Sequence, residues 1–151
     1  MKSNCLLALA VLVSMLGCQA PTPSPKGSSN EASTQDSELR KFMDSQIDAM
    51  NKKDIRSYMA TIDPSANFYK PTEAMLASIY KSWDLKVTLD SFQVQSKQEN
   101  EAKIRTVIST IKVSGPKFKD NTVTALHTLV KKNGQWLITR SDVEKMEYIK
   151  G

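Results

Sequence analysis

The sequence predicts an α+β domain, three helices followed by four long antiparallel strands. Apolar residues recur at helical spacing up to Trp83. After Asp84 the spacing drops to two. Later, Asn133-Gly134 stands between two alternating runs, which is the strongest short-range signal for a β-hairpin. Helices gathered ahead of a run of strands give α+β rather than an alternating βαβ order.

Asp36 or Ser37 suits the cap of the first helix, and Leu39, Phe42, Met43, Ile47 and Met50 then fall on one face. Arg40, Lys41, Asp44 and Asp48 take the other face, and Asn51-Lys52-Lys53 closes the helix. Asp54 caps a short second helix carrying Ile55, Tyr58, Met59 and Ile62, which Asp63-Pro64 stops. Pro71-Thr72-Glu73 opens a third, with Met75, Leu76, Ile79, Tyr80 and Trp83 apolar. In the first strand Leu85, Val87 and Leu89 alternate with polar residues, and Phe92 and Val94 continue in the opposite parity. The second strand runs from Ala102 to Ser114. Its apolar parity changes between Ile108 and Ile111, which predicts a bulge near Ser109. Asn121–Lys132 and Gln135–Tyr148 form the closing hairpin.

Before this domain the chain has a different character. Lys2 precedes an apolar stretch, Cys5 to Met15, too short to span about 30 Å of hydrocarbon as a helix. It ends in Met15-Leu16-Gly17-Cys18 and resembles the lipobox of bacterial lipoproteins. In that family the cysteine takes a diacylglyceryl group, the signal is cut just before it, and the new amine is acylated. The resemblance implies a signal peptide over 1–17 and a lipidated Cys18 as membrane anchor. Gln19 after the cysteine implies the outer membrane in a Gram-negative cell, and the outer leaflet of the cytoplasmic membrane otherwise. Residues 18–35 hold Pro21, Pro23, Pro25 and a polar run, the composition of a disordered linker. The domain is expected over 36–151.

Two stretches carry a second resemblance. Ala49-Met50-Asn51-Lys52-Lys53-Asp54-Ile55-Arg56-Ser57-Tyr58 resembles the helix–turn–helix opening of NTF2-like domains. Leu129-Val130-Lys131-Lys132-Asn133-Gly134-Gln135-Trp136-Leu137-Ile138 resembles their last hairpin. The family implies a cone, with the helices packed on a bent four-stranded antiparallel sheet. It includes ketosteroid isomerases, cyclases and dehydratases beside members without a known reaction. Its isomerases use a tyrosine of the first helix and carboxylic acids aimed into the cone. Here Phe42 and Met43 occupy that face.

The net charge is +5, with acidic and basic residues interspersed, so no nucleic-acid partner is expected. Both cysteines, Cys5 and Cys18, precede the domain, and it holds one histidine, so neither a metal nor another cofactor is expected. That histidine, His127, shares strand parity with Val123, Ala125 and Leu129. As a neutral imidazole on an apolar face it has the chemistry of an acid or base, and equally that of a hydrogen-bonded core residue. Arg105 and Arg140 are candidates to hold an anion in the cone, and Tyr58, Tyr69 and Tyr80 to line it. The irregular stretch over Asp63-Pro64-Ser65 and Phe68-Tyr69 is a candidate lid. The expected function is a lipid-anchored, non-catalytic envelope domain binding a small apolar ligand or a protein partner, with a homodimer through the outer sheet face as one form. The alternative is an isomerase, cyclase or dehydratase using His127.

Overall fold

The computed structural model describes residues 29–149, with side chains from Ser37 onward. The signal segment, Cys18 and the proline-rich part of the linker lie outside the described residues. Three helices, α1 (Ser29–Asn51), α2 (Ile55–Met59) and α3 (Tyr69–Ser82), precede four strands, β1 (Asp84–Lys97), β2 (Glu101–Ser114), β3 (Asn121–Lys132) and β4 (Gln135–Tyr148). The strands form one antiparallel sheet in sequence order. The expected α+β class and both closing strands stand as read.

Helix α1 starts at Ser29, ahead of the expected caps Asp36 and Ser37, so residues 29–35 of the expected linker are helical. That stretch has no apolar stripe, which made it read as linker. It also has no breaker after Gly27, so a helix already fixed by packing extends through it at little cost. The packed part is the predicted face. Leu39 and Met43 are fully buried against Ala102, Ile104, Leu129, Trp136 and Ile138. The helix runs along the sheet in a definite direction. In its first half Glu38 pairs with Lys131 at 2.8 Å and Lys97 at 3.8 Å, beside the hairpin end of the sheet. At its end the Asn51 side chain accepts from Val87 N at 2.8 Å and donates to Val87 O at 2.9 Å. This amide completes both backbone groups of an edge-strand residue, as a neighbouring strand would.

A second, smaller core holds Met59, Ile62 and Leu76, with Ile55, Tyr58, Phe68, Tyr69 and Tyr80 packed around it. Asp54 caps α2 as expected, its carboxylate accepting from Ser57 N at 3.0 Å. Met75, expected on the apolar face of α3, is instead exposed. Ile62 lies beyond α2 and bridges to Ile138 as a short parallel extension of the β4 edge. The expected lid is a fixed part of this seam. Asp63 N donates to Ile138 O, Lys132 reaches the Asp63 carboxylate, and Phe68 packs on both cores.

The sheet bends at bulges, but not at Ser109. Register with β3 is unbroken from Glu101 to Thr110. The extra residues on β1 are Asp90 and Gln95, that on β2 is Val113, and those on β4 are Thr139 and Glu144. Asp90 produces the parity change at Phe92, and its carboxylate accepts from the Ser109 hydroxyl across the strand pair. Ile111 lies on the outer face and is exposed, so an apolar residue on the wet side imitated a bulge.

Gly115 leaves β2 with φ +112°, and a Cβ there would stand 2.4 Å from the Ser82 carbonyl oxygen. Gly115→Ala is therefore expected to lower stability by about 2 kcal/mol or more, through both backbone strain and that clash. Leu39→Ala, by emptying the main core, is expected to cost about 3 kcal/mol. Urea unfolding of each variant measures both.

Candidate functional site

The concave face of the sheet carries Ile104, Thr106 and Ile108 of β2 beside Val123, Ala125, His127 and Leu129 of β3. His127 stands opposite Ile104 on one side and Ser141 on the other. The residue is 8% exposed. Nε2 lies 3.0 Å from Thr106 Oγ1, and Nδ1 lies 2.8 Å from Ser141 Oγ. One ring nitrogen donates and the other accepts, and each hydroxyl can take either role, so a neutral imidazole is fully satisfied. Burial pushes its pKa down to about 4, against a smaller upward pull from Asp142. Asp142 itself points to the other face of the sheet, where Arg140 holds it at 2.8 Å.

The other sequence candidates are not gathered around His127. Arg105 lies on the outer face and pairs with Glu144 at 2.8 Å. Arg140 also faces outward, because the extra residue at Thr139 turns the strand over between Ile138 and Arg140. Neither arginine enters the cone. Tyr58, Tyr69 and Tyr80 belong to the second core. Burial, with Tyr80 nearby, raises the Tyr58 phenol to about 12, and burial also raises Tyr80. All three tyrosines are packing residues, and burial keeps the hydroxyls of Tyr58 and Tyr80 protonated.

Sequence reasoning missed the hydroxyl partners Thr106 and Ser141, and it missed what continues from Ser141 along β4. Val143 is 64% exposed, Met146 55% and Tyr148 58%. In register they stand opposite Ala125, Val123 and Asn121, on the concave side that α1 leaves uncovered. Beside them Lys119 Nζ lies 4.9 Å from the Tyr148 ring centre, and Phe118, Asp120 and Ile149 close a shallow hollow of about 380 Å³. The site therefore couples a buried neutral polar row to an open apolar strip. The alternation of Val143, Met146 and Tyr148 is irregular in sequence because Glu144 is an extra residue, so no simple period marked them.

The family model for the C-terminal domain of anti-sigma-I factor RsgI9 matches residues 41–149. The chain belongs to this family. It is 33% identical over 104 residues to anti-sigma-I factor RsgI9 of Acetivibrio thermocellus. That alignment spans 68% of this chain and 14% of the relative, so the likeness is to one part of a much longer protein. Solved structures show the same NTF2-like cone. A putative scytalone dehydratase from Novosphingobium aromaticivorans superposes with a TM-score of 0.68 at 14% identity, over 82% of this chain and 93% of that one. An NTF2-like protein of unknown function from Pseudomonas putida gives 0.62 at 12% identity, over 74% and 86%. Bd1075 of Bdellovibrio bacteriovorus gives 0.67 at 16% identity, over 77% of this chain and 42% of that one. At these identities the likeness establishes the fold of the RsgI9-type domain and no activity.

The buried histidine gives this domain a pH signature. His127 titrates near 6.5 when unfolded and near 4 when folded, so the unfolded chain binds more protons between those values. The contribution of His127 is complete above about pH 6.5 and is lost as pH falls toward 4, at up to ~1.4 kcal/mol per pH unit. Asp63, held down to about 2 by Lys132 and Ser65, adds a separate loss between its ordinary value of 3.8 and 2. Thermal midpoints measured across pH 7 to 4 are expected to fall, and His127→Gln is expected to flatten that slope while leaving the loss below pH 4 in place.

Proposed function

We propose that this chain is a lipid-anchored envelope protein whose RsgI9-type domain works by binding rather than by turnover. The observation that carries the reading is the state of His127. A general base must accept a proton from its substrate near the working pH. Here both ring nitrogens are engaged by hydroxyls and proton affinity is depressed. Asp142, the acid that acts on the ring electrostatically, is turned away to Arg140. The open strip of Val143, Met146 and Tyr148 supports the binding half of the proposal, since adjoining exposed apolar side chains suit an apolar ligand or a protein partner.

The anchor rests on Lys2, the apolar run to Met15 and Leu16-Gly17-Cys18. Residues 19–28, between Cys18 and the start of α1, reach at most about 35 Å when extended, so an anchored domain would work close to the bilayer. The relative is named an anti-sigma-I factor. We carry over only its module, and read that module as the recognition part of a larger regulator, used here on a lipid tether.

Two measurements test this. Labelled palmitate is expected to enter the wild-type chain but not Cys18→Ser, and the variant is expected to leave the detergent-rich phase in a Triton X-114 partition. A Cys18→Ser protein that stays in that phase refutes the anchor. For the domain, Val143→Asp is expected to reduce fluorescence of the apolar probe 8-anilinonaphthalene-1-sulfonate, with His127→Gln leaving it unchanged. Turnover of a ketosteroid or polyketide substrate that disappears in His127→Gln would replace the binding reading with a catalytic one.

A further inference from the structure

We propose that the free edge of β4 pairs with the same edge of a second copy of this chain, antiparallel and centred on Met146. β4 is the last strand of the sheet, and among the described residues its outer edge is covered only by the short bridge at Ile138. The backbone directions are fixed by one bond. Ile149 N donates to Asp120 O at 2.9 Å, so the main-chain groups of 147 and 149 face β3. By alternation those of Met146 and Tyr148 face the open edge. A two-fold axis at Met146 would therefore let its N–H and C=O exchange two hydrogen bonds with the same groups of the second copy.

The side chains fit that axis. Lys145 and Glu147 flank Met146, both well exposed, and within one copy they pair with each other at 2.9 Å. In the antiparallel arrangement Lys145 stands opposite Glu147 of the second copy, and the pair occurs twice, so the edge is complementary in charge to itself. On the concave side Met146 meets its own copy, with Val143 and Tyr148 alongside, and the exposed strip becomes partly covered. The extra residue at Glu144 ends regular pairing on one side, which keeps the contact short and closed rather than open to further strands. The outer face of the sheet is a poorer surface for self-association, because it carries the ion pairs Arg105–Glu144 and Arg140–Asp142. The pairing depends neither on the lipid anchor nor on the absence of turnover.

The test uses the full chain with Cys5→Ser and Cys18→Ser, followed by sedimentation equilibrium. A dimer is expected. Lys145→Glu places like charges opposite each other at both positions and is expected to weaken the dimer about tenfold. The exchange Lys145→Glu with Glu147→Lys restores complementarity and is expected to restore the dimer. In the same cysteine-free background Met146→Cys is expected to form a covalent dimer on mild oxidation, whereas Ser57→Cys, on α2, is not. A chain that sediments as a monomer at about 100 μM overturns the proposal. So does a dimer indifferent to Lys145→Glu, or an edge occupied by a strand of a different protein.

Discussion

The seam between α1 and the sheet sets the rest of the molecule in place. Leu39 and Met43 fill the concave surface over Ala102, Ile104 and Leu129, and Trp136 and Ile138 of the hairpin close around them. These contacts hold the helix at the hairpin end, and the Asn51 amide fixes its other end to β1. With α1 committed to that path, no helix among the described residues lies above the far half of β3 and β4. The open apolar strip is thus a consequence of where the core is, and the second core of α2 and α3 cannot cover it because it is drawn to the edge of β4 at Ile138.

The same arrangement decides the chemistry of His127. The ring sits where the covered half of the concave face gives way to the open half, with fully buried Thr106 on one side and exposed Ser141 on the other. Desolvation favours the neutral form, and two hydroxyls satisfy it without charge. The charged groups nearest in sequence are spent on the outer face, in pairs exposed enough that each adds little to stability. Asp63 carries a buried charge, which Lys132 and two donors from Ser65 compensate.

Much of this was legible in the sequence because helices and strands announce themselves by period. The buried face of α1, the Asp54 cap and the hairpin around Asn133-Gly134 could be read residue by residue. The bulges could not. A strand with one extra residue and a strand with an apolar residue on its wet side produce the same change of parity. Asp90 is the first case, and Ile108 to Ile111 is the second. The direction of Arg140 depended on Thr139, and the exposure of Met146 depended on Glu144, both invisible without the register. Gln46, on the buried face of α1, donates to Thr61 at 2.6 Å, a polar bond inside an otherwise apolar stripe that periodicity alone passes over.

The direction of α1 has a mechanical consequence. The chain enters α1 at Ser29, and the stretch of the helix from Glu38 to Asn51, about 20 Å long, lies along the sheet from the hairpin end to the row of Val87 and Tyr148. A pull between that entry point and anything gripping the far end of β4 would slide helix and sheet past each other along their length. The contacts of Glu38, Leu39, Met43 and Asn51 would then be loaded together, as in a lap joint, instead of being peeled apart one after another.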